Sequence, residues 1–143
     1  MKKIIIVIII ILILIATIAI IAYKYISSRK EESDMLFTNK FMYKNITDDE
    51  AKAELDKDKS IIVLDVRTQE EYNEGHIPNS ILIPVNELEK RATTELPDKK
   101  AKIFVYCRTG MRATSACGIL TSLGYENIYN LGGIISWKYE IEM

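Results

Sequence analysis

Residues 105–120 read VYCRTGMRATSACGIL. Cys107 directly follows the apolar run Ile103-Phe104-Val105-Tyr106, and Arg112 stands five residues further on. The run is short, β-branched and aromatic, which is the composition of a buried strand. Beyond it, Ala113, Ala116, Cys117, Leu120 and Leu123 or Gly124 recur at helical spacing. Gly124 suits the end of that helix. A strand that hands over to a helix through residues 108–112 sets the expectation for the whole soluble part.

Working outward, the same alternation repeats. Thr47-Asp48-Asp49-Glu50 is a capping-box pattern and predicts a helix from Asp48 to about Asp56. Ile61-Ile62-Val63-Leu64 predicts a buried strand ending near Asp65. Gln69 to Asn73 reads as a brief helix, and Gly75 to Ser80, with Pro78, as a loop. Ile81 to Ile83 is a short strand, and Asn86 with Glu89 suggests another capped helix. Ile128 to Leu131 is a last strand, after which Gly132-Gly133 turns into a short helix with Trp137. Strands alternating with helices predict an α/β fold: a mainly parallel sheet with helices on both faces.

The N-terminal region differs in kind. Ile4 to Ala22 is apolar except for Thr17, and as a helix it spans about 28 Å, close to a bilayer core. It exceeds the apolar region of a cleaved signal, and Ala19 and Ala22 form no A-x-A site. The expectation is one uncleaved transmembrane anchor over residues 1–26, a polar tether over 27–42, and a soluble domain over 43–143. Lysines and arginines on the two sides of the run nearly balance, so the positive-inside rule does not decide orientation. The Met1-Lys2-Lys3 start with no preceding domain resembles an export-type anchor, which places the domain outside the cytoplasm.

The formal net charge of −1 hides this division. Three of the 19 basic residues, Lys2, Lys3 and Lys24, flank the apolar run, so the remainder sets 16 basic against 20 acidic residues. A mildly acidic domain argues against nucleic acid as a partner. The two cysteines lie in one short segment, unlike a disulfide framework that closes long loops. Cys117 shares the apolar stripe of its helix and reads as a small core residue.

Cys107 stands where open α/β sheets bind ligands, beyond the carboxyl end of a strand. Free N–H groups at the following helix start favour an anion, and they favour the reactive thiolate over the thiol. Arg108 and Arg112 add fixed positive charge, and Gly110 allows a positive φ in a tight loop. The plainer alternative is a buried cysteine beside arginines that solvate the surface.

Several stretches together resemble a single-domain rhodanese, the sulfurtransferase family, over nearly all of 43–143. They are Asp65-Val66-Arg67, Glu71-Tyr72, Gly75-His76-Ile77-Pro78, Pro84, Cys107-Arg108-Thr109-Gly110-Met111-Arg112, and Leu131-Gly132-Gly133 followed by Trp137. Asn79 and Ser80 depart from the family's frequent Gly-Ala, and Leu82 stands where Asn is common. Asn tolerates positive φ, so the turn should survive. The resemblance implies a rhodanese-like fold and a Cys107 persulfide. That persulfide would form from thiosulfate or a similar anionic donor and pass its sulfur to a thiol or to cyanide. It implies that Arg108, Thr109, Gly110, Met111 and Arg112 cradle the anion. It implies no metal and no organic cofactor.

Two other classes compete. The nearest rival enzyme is a cysteine phosphatase or arsenate reductase, since some phosphatases share the rhodanese fold, but the phosphatase loop C-x5-R has one residue more than Cys107 to Arg112, and the shorter loop should suit sulfur. A non-catalytic, membrane-tethered rhodanese-like module would usually lack the cysteine. Asp65 and Arg67 read as an ion pair or loop clamp that could support the pocket. His76 reads as a structural hydrogen-bonding residue, and Trp137 and Tyr129 as packing aromatics.

Overall fold

No glycine or proline interrupts residues 2–40, and in the computed structural model that stretch is one helix, α1 (Lys2–Lys40). The structure describes residues 1–40 and 42–143, and of 34–40 the backbone alone. Two compact units divide the chain, Met1–Asn39 and Lys40–Met143. Within the first, Lys2–Ser33 is long and apolar enough to cross a membrane, and none of that stretch is buried. It is a candidate membrane anchor or signal sequence. The helix continues through the polar stretch as far as Lys40, with no break at residue 26. Its Arg29, Lys30, Glu31 and Glu32 are good helix formers, although the stretch shows no apolar period. Phe41, also in the expected tether, lies outside the described residues.

The second unit begins with a two-residue strand, β1 (Lys44–Asn45). There follow α2 (Asp48–Lys57), β2 (Ile62–Asp65), α3 (Gln69–Asn73), β3 (Ile81–Leu82), α4 (Leu88–Glu95), β4 (Ile103–Cys107), α5 (Met111–Ser122) and β5 (Ile128–Gly133). A 3₁₀ turn, Ile134–Ser136, comes last. The five strands form one sheet in the order β1-β5-β4-β2-β3, with every pair parallel. Parallel strands need crossovers, and helices supply them.

The pleat of β4 divides the core in two. Ile103, Val105 and Cys107 face a cluster with Leu64, Leu88, Ala92, Ala113, Ala116, Cys117 and Leu120, which covers one side with α4 and α5. Phe104 and Tyr106 face the other side with Val63, Ile77, Leu131 and Ala51 of α2. All five residues of β4 are buried, as a central strand covered on both faces requires. Each large side chain so enclosed contributes about 1.5–3 kcal/mol. The helices on both faces are thus as the sequence predicts.

Local signals account for most boundaries. Thr47 caps α2 and Thr68 caps α3, each in a full capping box with the glutamate three residues on. Tyr125 N–H bonds the Leu120 carbonyl and Gly124 N–H that of Thr121, the double closure expected at the end of α5. Asn79 takes a positive φ of 61°, as its turn demands. One cap fails. Asn86 does not start α4, which is preceded by Glu87 without a side-chain cap. Glu87 and Leu88 instead donate back to Pro84 and Val85, so Asn86 lies inside a turn. Cys107 also lies one residue earlier than expected, as the last residue of β4.

Candidate active site

The loop that follows β4 is shaped by its neighbours on β5. Register along this pair jumps from Val105 opposite Asn130 to Tyr106 opposite Gly132. Leu131 is therefore an extra residue on β5, and the shift places Gly133 opposite Cys107. Gly133 leaves room for the loop itself. A Cβ there would stand 2.5 Å from the Arg108 carbonyl oxygen and 2.8 Å from Thr109 Cα. Past the 3₁₀ turn's first residue, Ile135 N–H donates to that same Arg108 carbonyl at 3.3 Å.

Within the loop, the Gly110 N–H donates to Cys107 Sγ at 3.1 Å. Gly110 reaches this geometry at φ 105°, a region that side-chain-bearing residues rarely enter. The ladder of α5 opens with Thr114 N–H bonding the Gly110 carbonyl. The N–H groups of Met111, Arg112 and Ala113 precede that ladder, as at any helix start. The sulfur thus sits at the positive end of a twelve-residue helix. Cys107 is only 1% exposed, whereas Arg108, Thr109 and Met111 are exposed around it.

The two arginines of the loop, one expected to bear on substrate choice and the other on loop closure, differ in their partners. Arg112 Nη1 and Nη2 donate to the two carboxylate oxygens of Glu71 at 2.6 and 2.7 Å. Hydrogen bonds from Arg112 hold the Glu71 carboxyl well below the usual range, at about 2, against the opposing effect of partial burial. Glu71 also accepts the Thr68 N–H, so this one carboxylate joins the cap of α3 to the start of α5. Among the described residues, the Arg108 guanidinium makes no hydrogen bond and no ion pair.

Asp65 and Arg67 form a separate buried clamp. Arg67 Nε and Nη2 donate to Asp65, Nη2 at 2.7 Å, and Nη2 also reaches the Gly75 carbonyl at 2.7 Å. The guanidinium lies over the Tyr106 ring, 5.6 Å from its centre. The Tyr106 hydroxyl in turn accepts the Ile77 N–H at 3.1 Å and lies 3.2 Å from Ser80 Oγ. Burial first, and the Asp65 charge second, push this phenol's ionisation upward. The clamp ties residues 75–80 to β4, next to the loop rather than in it.

His76 stacks on Tyr72 at 3.7 Å and bonds the Tyr72 carbonyl, as a structural histidine does. Cys117 is wholly buried among apolar residues, and that burial pushes its thiol up to about 12. Both cysteines are free thiols. The site thus brings together Cys107, Arg108, Thr109, Gly110, Met111 and Arg112, and leaves Asp65 and Arg67 as its neighbours. Sequence reasoning missed Glu71 and Gly133 as parts of the site. The T-x-x-E spacing of Thr68 and Glu71 was the available signal for the first, and the paired glycines for the second.

Similarity to known proteins identifies the family. The model of the Rhodanese-like domain family matches residues 47–140, and the chain belongs to that family. It is 38% identical over 71 residues to the thiosulfate sulfurtransferase PspE of Escherichia coli, covering 50% of this chain and 68% of the relative. It is 37% identical over 98 residues to the thiosulfate sulfurtransferase GlpE of Coxiella burnetii, covering 68% of this chain and 89% of the relative. Among solved structures, a rhodanese with anions from E. coli matches with a TM-score of 0.55 at 33% identity, covering 57% of this chain and 96% of that one. The fold is that of the rhodaneses, and the chain is a member of a sulfurtransferase family.

Proposed function

We propose that the protein moves a sulfane sulfur from thiosulfate, or a donor of like charge, to a thiol acceptor through a persulfide on Cys107. The Cys107 thiolate attacks the outer sulfur of the donor. The sulfur–sulfur bond of thiosulfate breaks, its electron pair leaves with sulfite, and Cys107–S–S⁻ remains. An acceptor thiolate, or cyanide in an assay, then attacks the terminal sulfur and returns Cys107 to its thiolate. Atoms and charge balance in both steps, and the chemistry is nucleophilic covalent catalysis.

The observation that carries this reading is the Gly110 N–H aimed at Sγ from 3.1 Å, at a helix start. A backbone donor so placed can hydrogen-bond sulfur held in the loop. Arg108, exposed and without an ion-pair partner among the described residues, draws the anionic donor to the mouth. Thr109, Gly110 and Met111 supply loop backbone, and Arg112 holds the loop. Asp65 and Arg67 support the pocket from the 75–80 loop. The names of the two curated relatives favour thiosulfate as donor. We further propose that α1 anchors the domain to a membrane as a single pass, with the domain outside the cytoplasm. Its unbroken apolar surface supports the anchor. A membrane-impermeant thiol label applied to intact cells tests the orientation: Cys107 labels without lysis if the domain faces outward, and only after lysis if it faces the cytoplasm.

Single-turnover sulfite release tests the chemistry. With thiosulfate and no acceptor, wild-type protein should release one sulfite per chain and then stop until cyanide is added. Release that is absent, or unchanged in Cys107→Ser, removes the sulfurtransferase reading.

A further inference from the structure

The Glu71–Arg112 pair touches no reacting atom, yet it links the cysteine loop directly to α3. Both guanidinium nitrogens that face α3 are used, at 2.6 and 2.7 Å. Glu71 is itself fixed, because its carboxylate completes the capping box of Thr68. Thr68 follows Arg67, which is locked to Asp65 and to the Gly75 carbonyl. A planar guanidinium held by a bidentate carboxylate has a set orientation and a compensated charge. Arg112 is the second residue of α5, so fixing it also fixes the start of that helix, next to the Gly110 N–H that reaches the sulfur.

We propose that Glu71 is a positioning residue. It pins Arg112 as a brace for the Cys107 loop, cancels that arginine's charge, and leaves Arg108 to select the anionic donor. The inference rests on the persulfide reading for its kinetic consequences but not for its electrostatic one. Two arginines in a six-residue loop suggest a doubly cationic mouth, whereas the structure gives a singly cationic one with a rigid rear wall. Donor affinity and loop order are thereby separated onto two arginines. Loss of the Glu71 charge should affect them in opposite directions: an uncompensated second cation attracts the donor more strongly, and a loosened loop transfers sulfur more slowly.

The test compares full-length wild type, Glu71→Gln, Glu71→Asp, Arg108→Gln and Arg112→Lys in mild detergent, with folding checked by thermal melts. The first readout is alkylation of Cys107, followed on its own peptide, by anionic iodoacetate and by neutral iodoacetamide. Glu71→Gln should raise the ratio of the two rates about threefold to tenfold, and Arg108→Gln should lower it by a similar factor. The second readout is thiosulfate kinetics. Glu71→Gln should lower kcat about tenfold while KM also falls, and Glu71→Asp should recover most of kcat. Arg112→Lys keeps the charge but not the fork, and should lower kcat with little change in KM. A wild-type alkylation ratio in Glu71→Gln overturns the proposal, as does a rise in KM with unchanged kcat. Should Glu71→Gln fail to fold, Glu71→Asp and Arg112→Lys decide through the same kcat and KM split. Wild-type protein that forms no persulfide sinks the sulfurtransferase reading alone, since the alkylation ratio still judges Glu71.

Discussion

Cys107 and Cys117 are ten positions apart, and both are almost wholly buried, at 1% and 0% exposed. Their surroundings make them different chemical objects. Cys117 lies on the inner stripe of α5 within the apolar core, and burial pushes its thiol up to about 12. Cys107 lies at the end of β4, where a loop N–H points at its sulfur and the positive end of α5 faces it. Equal burial therefore conceals unequal surroundings. The difference lies in whether polar groups are organised around the sulfur or excluded from it.

The sharpest way to break this comparison is to exchange each thiol. Cys107→Ser should abolish sulfite release, a loss of roughly a thousandfold or more, because serine cannot form a persulfide. Cys117→Ala should keep the activity and lower stability by about 1 kcal/mol, read from a urea midpoint. Equal activity losses in the two variants would contradict the assignment.

Gly133→Ala probes the cradle without touching the thiol. The added Cβ would meet backbone at 2.5 Å, so the loop must shift. Activity should fall by about a hundredfold, with a stability cost of about 1–3 kcal/mol, seen by parallel assay and melting. Retained activity would show that the loop does not need its close approach to β5.

A smaller effect belongs to Arg108. Its replacement by glutamine should raise the thiosulfate KM about threefold to tenfold and leave kcat nearly unchanged. High salt should weaken donor binding to wild type more than to the variant.

The smallest expected effect is on acid stability. Glu71 is held at about 2 against an ordinary 4.5, by Arg112 first. A depressed carboxyl contributes its stabilisation fully above the ordinary value and loses it as pH falls toward the lowered one. The stability gap between wild type and Glu71→Gln should therefore be constant above about pH 5 and close progressively toward pH 2. Urea titrations at several pH values would show it, and a gap that widens with acid would contradict the pair's assignment.

Legibility from sequence followed the range of the signal. β2 and β4 were readable because a strand covered on both faces must be apolar throughout. α2 was readable because its capping box lies within four residues, whereas the equally local box that starts α3 went unread. The Cys107 loop was readable from its place between a strand and a helix, and then from the family pattern. Three features were not. β1 has two exposed residues, and only its pairing with β5 makes it a strand. The helical stretch to Lys40 has no apolar period to announce it. Glu71 meets Arg112 across 41 positions, so no local pattern shows that one arginine of the loop is already engaged.

The central claim is that sulfur is taken up at Cys107 and nowhere else in the chain. Full-length protein incubated with thiosulfate, freed of excess donor and weighed intact answers it most directly. The account predicts a gain of one sulfur atom, located on the Cys107 peptide, reversed by cyanide and absent from Cys107→Ser. A wild-type chain that gains no sulfur, or gains it on Cys117, would contradict it.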